Sequence, residues 1–489
     1  MTESNDQESS STTSEHGPGS DANGGSATPR PLWRLGSRSI DTLGLGLAWA
    51  LVLVGVVLWN VKPGAEVVDP MEANPSDLPA GQLVGSQEEL AGRLGFGFFH
   101  LIPGFPAESQ VAALEQGSPA AQIARAIFIA GASSIEDGVD VLNLVVENNP
   151  EDPVVMELAP LVSTCFASAE AGEHPPDEIS RAIEERLGWF GLLAVDLGDQ
   201  ERMATIADRA TRDAVLMMLL LGVMGGAGLL GFIGLGVLIA LVISKRLSIR
   251  VPTPDRHGVY AETFAGWLLL MLLLQFVMGT LSPPGLGLLM SVVAFFGSLI
   301  ALAWPVIRGI PWAEVRNDIG LTAPRWSDLP TGIASWAMAL PFLVAGGIIT
   351  VVLMVVTQFL TGTTPTPSHP AQQAAMDADA WQVIQLFLLA SVAAPVVEEI
   401  MFRGVFFTHL CGWTRRWSRW LGIIFAVFVS SVIFAAIHPQ GPIFIPPLAG
   451  LAIGFCVARM WRGSLIPAMV AHGVSNALVM GLNVMLFSS

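Results

Sequence analysis

The sequence predicts an all-α, polytopic membrane protein with about nine transmembrane helices and one soluble helical domain. Of its 489 residues, 52% are hydrophobic and only 13% are charged, a balance typical of polytopic membrane proteins. Nine apolar stretches are near or above the ~20 residues that a bilayer-spanning helix needs. Lys and Arg are concentrated in alternate loops between them. The predicted spans are 43–61, 214–243, 259–281, 286–307, 329–360, 381–410, 420–437, 442–459 and 463–487.

The N-terminal tail, residues 1–38, is rich in Ser, Gly and Thr and has almost no large apolar residue. Such a segment cannot bury a core, so we expect it to be disordered. It also lacks the charged start and the immediate apolar run of a cleavable signal peptide. The first span, 43–61, follows Arg30, Arg34 and Arg38. This positive flank predicts a cytoplasmic N-terminus.

Residues 63–212 have the composition of a soluble, acidic domain, with 25 acidic against 7 basic side chains, a balance of −18. This charge argues against nucleic acid as a partner, and the sequence does not identify what the domain binds. Ser118-Pro119 resembles an N-cap followed by proline at the first helical position. Amphipathic helices are predicted near 107–116, 119–131, 135–147, 153–170 and 176–193.

The remaining residues, 213–489, contain eight of the nine spans and are predicted to form one membrane core. The loops 282–285, 361–380 and 438–441 contain no Lys or Arg, whereas the loops between them carry two to four each. By the positive-inside rule, the acidic domain and the C-terminus lie outside the cytoplasm. We therefore expect a multi-pass protein of the cell membrane.

Two adjacent carboxylates and an arginine interrupt an otherwise apolar span, at Glu398, Glu399 and Arg403. An ionisable side chain in the bilayer costs about 2.5–3.5 kcal/mol even on the lenient insertion scale, so by default it marks a site. Glu399 and Arg403 are four residues apart and share a helix face, where they can neutralise each other. Glu398 points about 100° away and is free to transfer protons. A structural ion pair or a proton relay would also place charges here.

Further polar groups lie in the last spans, because His438 ends one span while His472 and Asn476 share a face of the final helix. With Glu398 they supply what hydrolysis needs. These are a base for water, an imidazole that positions the water or protonates the leaving amine, and donors for an oxyanion. Singly, a His can cap a helix and an Asn can join two helices by a hydrogen bond. Their joint occurrence on neighbouring helices favours a hydrolytic site.

Three short motifs lie in order on successive spans within 398–476: Glu398-Glu399-x-x-x-Arg403, Phe434-x-x-x-His438 and His472-x-x-x-Asn476. Each four-residue spacing is a weak signal alone. The combination resembles the motifs of the CPBP intramembrane proteases, which include CAAX prenyl endopeptidases of the Rce1 type and bacteriocin-processing and immunity proteins. The resemblance implies an eight-helix protease core over 213–489 and leaves 1–212 outside it.

The resemblance also implies a role for each motif. Glu398 would activate water together with His438. Glu399 and Arg403 would give structural and electrostatic support, and the third motif would face the oxyanion.

The sequence leaves the use of a metal open. Glu398, His438 and His472 would form a His-His-carboxylate set of the kind that holds catalytic zinc. However, the sequence has no His-Glu-x-x-His motif, and we prefer a metal-free glutamate mechanism.

The sequence also raises a question of depth. Glu398 is about 17 residues, or ~26 Å, from the outer end of its helix, whereas His438 is at the outer end of its own helix. Tilt, a bend at Pro395 or a helix that begins deeper than Trp381 would bring the two side chains together.

The function that these features predict is an intramembrane endopeptidase acting on membrane-associated peptides or proteins, with prenylated substrates as one class. The alternatives are a non-enzymatic scaffold or immunity-type protein, or a proton-coupled transporter. A transporter would scatter its polar groups along a path and repeat them in both halves of the bundle. The ionisable groups here gather in the C-terminal half, which favours a single site.

Overall fold

The computed structural model describes residues 38–60, 83–106, 111–115, 117–361 and 379–487. Within these ranges every regular element is a helix and none is a strand, and several helices are long and apolar enough to cross a membrane. The predicted all-α, polytopic fold class is therefore confirmed. The predicted disordered tail lies outside the described residues except for its last residue.

After a first apolar helix, α1, the described part of the acidic segment folds into helices around a hydrophobic core of its own. The predicted helix start is observed, since Ser118 Oγ accepts a hydrogen bond from the Ala121 amide and Pro119 begins its helix. The bounds are α1 Arg38–Asn60, α2 Ser86–Leu101, α3 Ala112–Glu115, α4 Pro119–Ala132, α5 Ile135–Asn148, α6 Pro153–Ala171, α7 Asp177–Leu187 and α8 Trp189–Asp196.

Two predictions for this segment need correction. The single helix predicted over 176–193 is two helices, α7 and α8, because Gly188 has a φ of 56° that a helix cannot continue through. The helix α2 was missed altogether. The helix predicted over 107–116 is α3 in its described part, and residues 107–110 and 116 lie outside the described residues.

The described residues from Gln200 onward form a helical bundle, in which all helices except the short connecting helix α12 are candidate spans or contain a shorter apolar stretch. The bounds are α9 Gln200–Ile243, α10 His257–Thr280, α11 Gly287–Ile307, α12 Trp312–Ile319, α13 Asp328–Thr361, α14 Ala380–Trp413, α15 Arg419–Ala436, α16 Pro442–Arg462 and α17 Ile466–Phe487.

The described helices can be compared with the nine predicted spans. Eight of them meet the length and composition of a membrane span, and seven of these coincide with predicted spans. The eighth, α6, packs inside the acidic segment, where Leu158, Val162 and Phe166 are buried. The first and last predicted spans correspond to the shorter apolar stretches Gly44–Val56 and Ile466–Leu482.

Helix α9 joins the acidic segment to the bundle without a linker. It runs unbroken for 44 residues, across the boundary predicted near residue 212. Helix α2 lies along its first part, where Arg93 forms an ion pair with the buried Asp213 at 2.5 Å. Gly97 allows the close approach, since a Cβ atom there would lie 2.0 Å from the Ala210 carbonyl oxygen. The acidic segment is therefore fixed to the end of a membrane helix.

Helix α13 packs against α9, α16 and α17 in the bundle, and glycines bring the backbones together. A Cβ atom at Gly346 would lie 2.3 Å from the Pro446 carbonyl oxygen, and one at Gly450 would lie 2.2 Å from that of Phe342. Small residues permit this packing in membranes, where van der Waals contact replaces the hydrophobic effect as the driving force. The close α13–α16 contact sets the position of α16 beside the candidate site.

Helix α1 packs on α10 and on the C-terminal half of α14. The indole N–H of Trp49 donates a hydrogen bond to Nε2 of the buried His409, over 3.1 Å. The same indole contacts the rings of Phe406 and Trp413, with centroids 5.6 and 5.7 Å away. Helix α1 thus contributes to the core that holds α14, although the acidic segment separates the two in sequence.

The glycines of α9 provide a matched test of this packing. Gly231 faces the Ala337 carbonyl oxygen, 1.9 Å from the position of an added Cβ atom, whereas Gly225 has no atom within 4 Å. We expect Gly231→Ala to destabilise the protein by about 1–3 kcal/mol through overpacking. Gly225→Ala should be neutral or stabilising, because alanine has the higher helix propensity. Unfolding in detergent measures both, and equal effects would contradict the packing described.

Candidate active site

Helix α14 carries the first motif and changes its winding on both sides of it. The α-helical turn Ala394–Glu399 lies between two π-helical segments, Leu389–Ala393 and Ile400–Phe406. Segments of π-helix are rare in proteins, and those that occur often lie at functional sites. In the first segment the Ala394 amide donates to the Leu389 carbonyl, five residues back.

Pro395 explains why the third motif is needed at this turn. In the same winding, the next amide would donate to the Ala390 carbonyl, but residue 395 is a proline and has no N–H. The side-chain amide of Asn476 takes its place, with Nδ2 donating to the Ala390 oxygen over 2.8 Å. Gly473 lies against the following carbonyl, since a Cβ atom there would be 2.7 Å from the Ser391 oxygen. Asn476 therefore ties α17 to the wide turn of α14 and keeps a second N–H for another acceptor.

Glu399 and Arg403 form a fully buried ion pair. Arg403 Nη1 donates to Glu399 Oε1 over 2.9 Å, and both side chains are 0% exposed. Arg403 Nη2 donates to the Ala452 carbonyl of α16 over 3.4 Å. The guanidinium carbon lies 4.3 Å from the ring centroid of Phe434 and 5.2 Å from that of Phe455, so aromatic faces replace water around the charge. The predicted pairing of these two residues is what the structure shows.

His472 connects this ion pair to Glu398. Its Nδ1 lies 3.0 Å from Glu399 Oε1, and its Nε2 lies 3.8 Å from Glu398 Oε2. Because an ionised carboxylate only accepts hydrogen bonds, the proton of a neutral His472 is on Nδ1 and Nε2 faces Glu398. Among the described residues, Glu398 Oε2 is a buried oxygen without a hydrogen-bond partner. Such an atom is a natural position for a water molecule or a substrate group.

His438 joins the group through Phe434. It lies just beyond the end of α15, with Nδ1 2.7 Å from the Phe434 carbonyl oxygen. The Phe434 ring centroid is 4.5 Å from that of His438 and 5.7 Å from that of His472. The two histidines therefore lie at the same level of the bundle as the ion pair. Helix α14 begins at Ala380, so a deeper helix start does not account for this.

The possible zinc set consists of three of these side chains. In the described part of the chain, no three His, Cys, Asp or Glu side chains are grouped closely enough to hold a metal ion. As placed, Glu398, His438 and His472 are not grouped as a ligand set.

Sequence reasoning missed two parts of this site. One is the hydrogen bond from Asn476 to Ala390, which Pro395 could have suggested, since a proline in a helix leaves a carbonyl without a partner. The other is the wall that α16 provides with the Ala452 carbonyl and the Phe455 ring. No sequence signal marks Phe455, because an apolar residue in a membrane helix is the expected one.

Comparison with known proteins finds similarity in this part of the chain. Residues 380–478 match the family described as Type II CAAX prenyl endopeptidase Rce1-like. The match spans α14 to α16, the first part of α17 and all six predicted site residues. The C-terminal region of this chain is therefore similar to the Rce1-like family. The resemblance inferred from the three motifs is thereby confirmed.

One curated relative of the Rce1-like region is the membrane-embedded CAAX protease MroQ of Staphylococcus aureus (strain USA300). The two chains are 33% identical over 97 residues, which is 20% of this chain and 38% of MroQ. The chain thus matches well under half the length of this relative. No solved structure matches the chain.

The buried ion pair of the Rce1-like region makes a stability prediction. Arg403→Met should cost about 3–5 kcal/mol, because it leaves Glu399 as an uncompensated buried charge. The double variant Glu399→Gln, Arg403→Met removes both charges and keeps an acceptor for His472 Nδ1, so it should be the more stable of the two. Denaturant unfolding in detergent measures this. If the double variant were less stable than Arg403→Met, the unpaired charge of Glu399 would not be the cause of the lost stability.

The bond from Asn476 to Ala390 predicts coupling to Pro395. With Pro395 present, Asn476→Ala should cost about 1 kcal/mol, because a half-buried carbonyl loses its partner. In a Pro395→Ala background the cost should be smaller, since residue 395 then has an N–H for the same carbonyl. A double-mutant cycle of unfolding free energies measures the difference. The same cost in both backgrounds would contradict this role.

Proposed function

We propose that this protein is an intramembrane endopeptidase that hydrolyses peptide bonds of membrane-associated substrates. The observation that carries the proposal is the pairing of Glu398 and His472. A buried carboxylate oxygen without a described partner faces an imidazole nitrogen at 3.8 Å, and a separation above hydrogen-bonding distance leaves room for a water or a substrate oxygen between them. The family assignment of residues 380–478 supports a protease.

In this proposal Glu398 is the general base. It takes a proton from the water as the water oxygen attacks the peptide carbonyl carbon, and it returns the proton to the leaving amine. Glu399 Oε2 also has no described partner, but Arg403 and His472 both engage its Oε1. The Glu399 side chain is 0% exposed, whereas that of Glu398 is 14% exposed, so Glu398 is the carboxylate that water can reach. The two adjacent carboxylates therefore have different tasks, set by their partners.

His438 positions the attacking water. Its Nδ1–H donates to the Phe434 carbonyl, since a carbonyl oxygen only accepts, and Nε2 is then the acceptor nitrogen of the neutral imidazole. That nitrogen accepts a hydrogen bond from the water that Glu398 deprotonates. Positioning of this kind holds the nucleophile near its attack geometry.

The oxyanion faces α17. When His472 is protonated, Nε2–H is a donor and Glu399 stabilises the imidazolium through Nδ1, as a carboxylate does for a catalytic histidine. The N–H of Asn476 that is not bound to Ala390 is the second donor. Donors held in place by other bonds stabilise a developing charge without reorganisation.

The substrates that suit this site are peptides held at the membrane. The groups that would act on the peptide lie within apolar helices or, for His438, just beyond the end of one, so a membrane-spanning or lipid-modified peptide brings its scissile bond to them. MroQ is described as a CAAX protease, and on that ground we include prenylated peptides with a C-terminal CAAX sequence among the candidate substrates. The partner of the acidic segment is a separate question.

The proposal predicts the behaviour of one conservative variant. Glu398→Gln keeps the size of the side chain and removes the base, so it should lower peptide cleavage by at least about 100-fold, the lower end of what general base catalysis contributes. Its unfolding temperature should match that of the wild type. The assay uses purified protein in nanodiscs with prenylated CAAX peptides and unmodified membrane-spanning peptides. Glu314→Gln, at an exposed position on α12, is the matched control.

The outcomes of this assay are distinct. Cleavage by the wild type and by Glu314→Gln, but not by Glu398→Gln, would support the proposal, and the peptide class that is cleaved would identify the substrate. Loss of cleavage with a zinc chelator would contradict the metal-free mechanism and leave Glu398 in place. Cleavage by Glu398→Gln at the wild-type rate would overturn the assignment of the base.

A further inference from the structure

Phe455 lies at the centre of the site but belongs to none of the three motifs. It is fully buried on α16, three residues after Ala452, whose carbonyl accepts from Arg403. Its ring lies beside the Arg403 guanidinium, as described above, and beside His472, with ring centroids 5.0 Å apart. It therefore contacts both Arg403 of the buried ion pair and the imidazole that faces Glu398.

The orientation of the His472 ring needs an external constraint. The terminal torsion of a histidine side chain has broad preferences, so the plane of the ring is not fixed by the side chain itself. Hydrogen bonding to Glu399 fixes Nδ1, but the ring can still turn about that contact. A change of plane would move Nε2 away from Glu398.

Two aromatic rings supply the constraint. The imidazole is nearly parallel to the Phe455 ring, with 22° between the planes, and nearly perpendicular to the Phe434 ring, at 78°. Rotation of His472 about its Cβ–Cγ bond would drive an edge of the imidazole into the face of Phe455. Close-packed interiors resist such rotation.

We propose that Phe455 is a positioning residue, whose ring holds the plane of His472 so that Nδ1 meets Glu399 while Nε2 faces Glu398. Its effect on hydrolysis rests on the function proposed above, whereas its effect on the imidazole does not. The backbone of α16 is itself held by the close packing of Gly450 and Gly454 against α13. The ring therefore has a rigid base.

A comparison of two Phe→Leu variants tests the inference. Phe264 is the matched control, because it is equally buried and packs on Phe402 and Phe406 of the same α14. Both substitutions replace a buried ring by a smaller aliphatic side chain, and both should lower the free energy of unfolding to a similar degree. Phe455→Leu alone should release the plane of His472.

The first measurement is the ¹⁵N spectrum of histidine-labelled protein in nanodiscs. The chain has 8 histidines, and His472→Gln identifies the signals of His472. We expect Phe455→Leu to shift or broaden both ring-nitrogen signals of His472, Phe264→Leu to leave them unchanged, and Phe455→Tyr, which keeps a flat ring, to restore them. Unchanged signals in folded Phe455→Leu would overturn the proposal, and Phe455→Met serves if the leucine variant does not fold.

The second measurement is the rate of cleavage of whichever peptide the wild type cuts. We expect kcat to fall about 10-fold in Phe455→Leu with KM within twofold, because the change alters the orientation of a reacting group rather than substrate binding. An equal fall in Phe264→Leu would show that general packing is responsible and would overturn the positioning role. If the wild type cleaves no peptide, the proposed function fails, while the spectra still decide the role of Phe455.

Discussion

The charge pair of Glu399 and Arg403 is the interaction on which the site depends. Neither side chain has access to solvent, and an unpaired charge at such a position is strongly destabilising. The surrounding helices are arranged to satisfy the pair, since α16 offers a backbone carbonyl and a ring, α15 offers the Phe434 ring and α17 offers His472. Satisfying this one pair brings four helices to fixed positions, and Glu398 is placed as the neighbour of a residue that cannot move.

The fold supplies the rigidity that this arrangement needs. Glycines let α13 pack at backbone distance against α16, and Trp49 of α1 packs on the far end of α14. Helix α14 itself departs from regular winding on both sides of Glu398. Pro395 has no N–H to donate to the Ala390 carbonyl, and Asn476 donates to that carbonyl instead. The same residue that would face an oxyanion thus also fixes the turn preceding the base.

Much of this could be predicted from the sequence, for identifiable reasons. Charges in apolar spans are costly, so Glu398, Glu399 and Arg403 were evident, and the four-residue spacing gave the ion pair. Local patterns do not encode which helices meet at backbone distance, so the α1–α14 contact was not foreseen. Gly188 breaks a helix only because its backbone adopts a positive φ, which composition alone does not reveal. Phe455 could not be identified, because its role depends on the partners that the fold places beside it.

The most direct test of these two roles compares Glu398→Gln with Glu399→Gln in the same membrane preparation. Each variant is assayed for peptide cleavage and for free energy of unfolding. We predict that Glu398→Gln loses cleavage and keeps its stability, while Glu399→Gln loses stability because Arg403 remains charged and buried without its carboxylate. Equal stability of the two variants, or cleavage retained only by Glu398→Gln, would contradict the separation of a chemical and a supporting carboxylate.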